Sequence, residues 1–281
     1  MKKMNLETAV RITRSNGATE KSISYMRNCI HKGESQKSFF KKILFWFYSV
    51  APLLRVSNAF YLALAALMLL TTACTTVPFV STELIPTTPR SAAELSRALW
   101  NSGTGTLMIR QSALFEFEGA KVPVTGAMKL DLSGRSIRLI GMNDMGVKLY
   151  DISVDATSSR SHFIIPELTR YPGFTEAVAD SVRKIFLTPE PAPDDTLERT
   201  STTYLLTKQK GDGRVVRFTL GGADTQLLEK VCRGSAESWR VRYYQYQRYQ
   251  GRLFPGGMLL EDEQAGYRLT LWTESVDNVD E

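Results

Sequence analysis

Apolar and polar positions divide the chain into three stretches with different periods. Residues 59–73, AFYLALAALMLLTTA, form an unbroken uncharged run. As a helix it would rise about 22 Å, short of the roughly 30 Å hydrocarbon core of a bilayer. Residues 75–90 are Pro- and Thr-rich, and their prolines disfavour both helix and strand. Ser91-Ala92-Ala93-Glu94 is a capping-box pattern, so a short helix is predicted to about Trp100, with Leu95, Ala98 and Leu99 on one face and Gly103 and Gly105 closing it.

The period then becomes two. In 106–118, Leu107, Ile109, Ala113, Phe115 and Phe117 alternate with Arg110, Ser112, Glu116 and Glu118. In 122–132, Val122, Val124, Met128, Leu130 and Leu132 oppose Thr125, Lys129 and Asp131. Ile137 and Leu139 flank Arg138, and Tyr150, Ile152 and Val154 share a face in 147–155. Such segments with short turns between them are half-buried antiparallel strands. Residues 173–187 break the pattern. Phe174, Val178, Val182, Ile185 and Phe186 recur at three-to-four spacing, which predicts an amphipathic helix between Pro172 and Pro189. Residues 188–199 read as a polar, mobile loop. Strand patterns return at 201–209, 214–220, 238–249, 251–260 and 265–273, with 225–233 favoured as a strand over a helix. The acidic tail 274–281 is expected to fray.

Charge changes the picture because it is unevenly spread. The chain of 281 residues carries +6, yet eleven of its 35 Lys and Arg and only three of its 29 Asp and Glu precede Cys74. The part from Cys74 onward therefore carries −2, which removes the electrostatic case for a nucleic-acid partner. The three cysteines are Cys29, Cys74 and Cys232, and only His162 of the two histidines follows Cys74. One His and one thiol make no His/Cys zinc site, and no cofactor is expected.

A short apolar core, a basic residue before it and small residues at its end describe a signal peptide. Its end, Leu70-Thr71-Thr72-Ala73-Cys74, resembles the lipobox of bacterial lipoproteins, with Thr71 where an apolar residue is usual. The resemblance implies that Cys74 is acylated and becomes the new N-terminus. Several acyl chains anchor a protein where one binds only marginally. Thr75, not Asp, follows Cys74, which by the same resemblance implies the outer membrane. An uncleaved transmembrane helix is the alternative, with 43–54 adding a second apolar run. In both cases Lys41, Lys42 and Arg55 mark the cytoplasmic side and the rest faces the periplasm. The polar first 50 residues are unusual for a signal peptide, and a start near Leu54 would give one of ordinary length.

The chain thus reads as an extension and signal peptide (1–73), a flexible tether (74–90), a folded domain (91–273) and a tail (274–281). The order helix, strands, helix, strands resembles the LolA/LolB family of periplasmic lipoprotein carriers and acceptors. Two segments carry the likeness: 139–150, LIGMNDMGVKLY, and 251–260, GRLFPGGMLL, followed by a strand with Tyr267, Leu269, Leu271 and Trp272. The resemblance implies an α+β fold, a curved antiparallel sheet or incomplete barrel with helices across its concave face. It also implies a cavity for acyl chains of a lipid or lipoprotein ligand, which Phe115, Phe117, Met128, Leu130, Ile152, Val178, Val182 and Phe186 would line. The same side chains could instead fill a solid core, leaving a scaffold for an envelope assembly. No residue matches the acceptor's exposed loop leucine.

Catalytic signals are sparse. There is no G-x-S-x-G elbow, and Gly103-Thr104-Gly105 precedes a strand rather than a helix. His162 has no partner identifiable from spacing, and Cys232 reads as a strand residue. Glu116, Glu118 and Asp151 are placed on the solvent face, where raised pKa values are not expected. Tyr243, Tyr244, Tyr246 and Tyr249, interleaved with Arg240, Arg242 and Arg248, read as a strand with outward amphipathic side chains. No enzyme is expected.

Overall fold

The capping box forms as the sequence predicts. Ser91 Oγ accepts from the Glu94 amide at 3.2 Å, and the Glu94 carboxylate accepts from the Ser91 amide at 2.7 Å. It opens α1 (Ala92–Arg97), which ends three residues earlier than expected. The computed structural model describes residues 77–171 and 173–279. The apolar runs 43–54 and 59–73, Cys29, Cys74, Pro172 and the last two residues of the tail lie outside the described residues. Among the described residues no helix is long and apolar enough to cross a membrane.

Among the described residues, alternation of side chains generates twelve strands, β1 (Thr106–Phe117), β2 (Ala120–Asp131), β3 (Ser136–Met142), β4 (Lys148–Val154), β5 (Ser159–Ile164), β6 (Thr196–Arg199), β7 (Thr203–Gln209), β8 (Val215–Gly221), β9 (Gln226–Arg233), β10 (Ser238–Tyr249), β11 (Arg252–Asp262) and β12 (Tyr267–Val279). All pairings are antiparallel, in the order β5-β4-β3-β2-β1-β12-β11-β10-β9-β8-β7-β6. The edges β5 and β6 do not pair, so the sheet is open. Between β5 and β6 lie a 3₁₀ turn (Leu168–Arg170), α2 (Phe174–Val182) and a π-helical turn (Arg183–Leu187).

The sheet must wrap around that helical segment. Arg183 Nε donates to the Asp155 carbonyl just beyond β4, while Lys230 of β9 reaches the carbonyl of the next residue, Lys184. Seven interstrand steps separate β4 from β9, about 34 Å on a flat sheet. An arginine and a lysine together cannot span that distance. The apolar stripe of the helical segment and the apolar faces of the strands form one core, including Leu95, Ile109, Met128, Ile152, Ile185, Phe218, Val241 and Leu260. The resulting class is the expected one: α+β, an incomplete antiparallel barrel with helices on its concave face.

Three expectations need correcting. From Val77 the supposed flexible tether lies along the sheet. Phe79 packs on the convex face against Tyr244 and Trp272, with ring centroids 5.3 and 5.7 Å apart. A Cβ at residue 257 would sit 2.4 Å from the Phe79 ring, so only glycine leaves room for this contact. Further on, the Thr87 amide donates to the Ser201 carbonyl at 2.9 Å, and Tyr204 Oη bridges the Thr88 amide and carbonyl. The tail is likewise no frayed end: Val276 pairs with Ile109 and Val279 with Thr106. Finally, 188–199 is not all loop. Residues 196–199 form β6, and Leu197 packs on the core.

Candidate functional site

The concave face is where the sequence concentrates its oily side chains, and one helical segment covers it. Gly173, at φ 82°, provides the left-handed entry to α2. Phe174 meets Tyr150 edge-on at 5.5 Å, and Tyr150 itself lies across Gly141, its cross-strand partner. Towards the other end, Trp100 anchors the packing. Its ring meets Phe186 at 6.0 Å and Phe254 at 4.7 Å, both edge-on.

The π-helical turn leaves carbonyls without helical partners, and polar side chains of the sheet satisfy them. Lys230 Nζ donates to the Lys184 and Ile185 carbonyls, both at 3.3 Å. Tyr243 Oη donates to the Ile185 carbonyl at 2.7 Å. Asn101 Nδ2 donates to the Phe186 carbonyl at 3.2 Å, and Arg135 to the Leu187 carbonyl at 3.4 Å. Of these donors Arg135 brings the charge favoured at a helix C-terminus. Along the sides, Lys184 pairs with Asp262 at 2.7 Å and Ser181 Oγ is hydrogen-bonded to Tyr267 Oη at 2.7 Å. The segment is therefore apolar underneath and held by polar contacts at its end and flanks.

Lys230 is the unexpected member. It is 1% exposed, and its cross-strand neighbours are Phe218 and Val241. Burial, with repulsion from Arg135, pushes its ammonium down to about 7. Burial also pushes Tyr243 and Tyr246 well above the usual tyrosine value, and Tyr150 and Tyr267 up to about 12.

The eight side chains expected to line a cavity divide into two groups. Met128, Leu130, Ile152, Val182 and Phe186 are 6% exposed or less and belong to one core, with Val178 packed against it. Phe115 and Phe117 stay outside that core. Phe115 is half-buried beside Tyr267 at 5.3 Å, and Phe117 is 39% exposed. They sit where β1 runs out towards its hairpin with β2. A cleft of about 130 Å³ opens between the residues following α1 and the ends of β9, β10 and β11. Leu99, Trp100, Gln226, Tyr246, Arg252 and Leu253 are among its walls. Sequence reasoning missed this cleft, Lys230, Asn101 and Arg135. The signal for Lys230 was its two-residue spacing from Cys232 on an otherwise oily face.

The remaining chemical candidates resolve into structural contacts. Asp151 is buried, not on the solvent face, but Arg138 binds it with two hydrogen bonds at 3.0 and 3.1 Å. That hydrogen bonding, aided by the charges of Arg138 and Lys148, holds its carboxyl below the usual carboxylate value. His162 Nε2 lies 2.8 Å from Ser153 Oγ on an exposed face. Cys232 is buried, which raises its thiol pKa. No group of His, Cys, Asp and Glu suited to a metal occurs among the described residues. Of the tyrosines read as outward, Tyr243 points into the core and Tyr244 lies beneath Phe79. Arg240 and Arg242 do face outward, pairing with Glu229 at 3.1 and 3.5 Å. At the β3–β4 turn, Met145 and Val147 are 64% and 53% exposed.

The site is therefore an open antiparallel sheet whose apolar hollow is filled by the chain's own helical segment. No family model matches the chain, and no curated protein matches it. Among solved structures it is similar to a protein described as an outer membrane lipoprotein-sorting domain from Vibrio parahaemolyticus, with 12% identity, 68% of this chain and 93% of that one covered, and a TM-score of 0.48. It is also similar to a LolA superfamily protein from Nitrosomonas europaea, with 9% identity, 69% and 96% covered, and a TM-score of 0.44. A DUF1329 family protein from Desulfovibrio piger matches with 7% identity, 67% and 94% covered, and a TM-score of 0.44.

Proposed function

We propose that this protein is a non-enzymatic lipoprotein of the cell envelope, held at its membrane through acylated Cys74 and facing the periplasm, that binds or hands over an amphiphile. The outer membrane is the proposed site, from Thr75 after Cys74. The observation that carries the reading is the construction of the helical plug. Its apolar side faces an apolar hollow, and its attachments are hydrogen bonds and ion pairs rather than strand pairing. Water can replace polar contacts of that kind at modest net cost. An acyl chain entering the hollow would take over the burial now provided by Val182, Ile185 and Phe186. In this reading the plug occupies the place that an acyl chain would take. A π-helical turn at the clamped end suits this role, because such turns recur at functional sites.

A second reading has an observation of its own. Met128, Leu130, Ile152, Val182 and Phe186 already fill the hollow, and the 130 Å³ cleft is well below the roughly 300–1,000 Å³ of ligand pockets. A solid core would suit a scaffold that binds proteins on its outer face. Mild extraction of the full chain followed by native mass spectrometry separates the two. The carrier reading expects co-purifying lipid and uptake of a fluorescent fatty acid. A domain that is lipid-free in repeated preparations and takes up none would favour the scaffold.

A further inference from the structure

We infer that the cleft beside Arg252 is a headgroup site, which receives a carboxylate or phosphate carried on an apolar arm. The inference rests on the amphiphile reading and specifies its ligand class. Arg252 is half-buried at the start of β11, and its Nη1 donates to the carbonyls of Trp100 and Ser102 at 3.4 and 3.2 Å. Those carbonyls fix the guanidinium plane without neutralising it. Among the described residues Arg252 pairs with no carboxylate, whereas Arg138, Arg183, Arg214, Arg233, Arg240 and Arg242 all do. Its Nε and second amino group keep donors free for a planar anion, the geometry in which arginine binds carboxylate and phosphate best.

Two other walls of the cleft carry buried polar atoms with no protein partner. One is Trp100 Nε1, on a residue that is 5% exposed, and the other is Gln226 Oε1. Leu99 and Leu253 supply apolar walls beside them. A volume of about 130 Å³ takes an anionic group and a few methylenes, since one water occupies about 30 Å³ of liquid. It does not take a whole acyl chain. Trp100 separates this cleft from Phe186 and the plug, so the rest of the chain would enter the hollow past that ring.

Photolabelling of the full chain in membranes tests this. Three diazirine probes share one twelve-carbon chain and differ in headgroup: dodecanoate, dodecyl phosphate and dodecanol. Labelled peptides are then mapped by mass spectrometry. With the native chain the two anionic probes are expected to label peptides containing 98–100 or 226–227 at least tenfold more than dodecanol does. Comparing the two anions separates a fatty-acid source from a phospholipid one. Arg252→Ala should lower anionic labelling of these peptides about tenfold and leave dodecanol labelling of the hollow unchanged, whereas Arg252→Lys should keep part of the anionic signal. Anionic labelling that survives Arg252→Ala would overturn the headgroup site and leave the carrier standing. Loss of all three probes together would reduce Arg252 to a structural strut and also overturn it. Absence of labelling by any probe in the native chain would remove the carrier reading with it.

Discussion

Phe186→Ala is expected to cost about 3–5 kcal/mol of stability, the range for truncating a fully buried phenylalanine. Phe186 is 1% exposed and holds the clamped end of the plug against Trp100. The loss combines the transfer free energy of the ring with the void left behind, because Trp100 is fixed from its far side by Phe254 at 4.7 Å. Phe117→Ala is the matched control. Phe117 has the same ring, was expected to share the same cavity, and is 39% exposed. Its truncation should cost less than about 1 kcal/mol. Urea denaturation of both variants measures the contrast. Equal losses would mean that the plug is not packed as described.

Stability is expected to peak between about pH 9 and 10. The ammonium of Lys230 titrates at about 7 in the folded protein, against 10.5 ordinarily. Between those values the unfolded chain binds the proton and the folded one does not, so stability rises with pH by up to about 1.4 kcal/mol per unit. Below pH 7 both states are charged and this dependence vanishes. The tyrosines act in the opposite sense. Tyr150, Tyr243, Tyr246 and Tyr267 are held above the ordinary value of 10. Above pH 10 the unfolded chain loses protons that the folded chain keeps, so stability falls as pH rises further. Lys230→Met should abolish the rising limb from pH 7 to 9 and keep the fall above 10. Denaturation midpoints from pH 6 to 11 give the profile. A native profile that is flat from 7 to 9 would mean that Lys230 is charged in the fold.

The legible parts of the sequence were those in which one face is buried and the other wet. β1 to β4 followed from period-two alternation, and α2 from three-to-four spacing, because burial on one side leaves that signature. The capping box fixed the start of α1 from Ser91 and Glu94 alone. Strands wet on both faces, such as β5 and β6, and segments placed by contacts between distant residues were not legible. Residues 77–90 have no periodicity because their place is set by Phe79 fitting over Gly257, a contact between distant residues. The 274–279 part of β12 presents only Val276 and Val279 among polar residues, three apart and so out of step with a period of two, and its composition does not say strand. Lys230 was hidden for a third reason. A lysine is normally outside, and only the helix carbonyls above it make an inside position tolerable.

The candidate site was legible as a list but not as a volume. Six of its eight residues do share the core or its margin, yet alternation records which face a side chain occupies and not whether a void lies between faces. The polar clamp at 184–187 was illegible because Asn101, Arg135, Lys230 and Tyr243 are brought together by the wrapping of the sheet.

The central claim is that the helical plug and an acyl chain compete for one hollow. Hydrogen exchange of the full chain in membranes, with and without added dodecanoate, tests it most directly. The account predicts faster exchange of the amides in 174–187 on addition, with β1, β11 and β12 unchanged. Unchanged exchange in 174–187, at concentrations where dodecanoate binds, would contradict it.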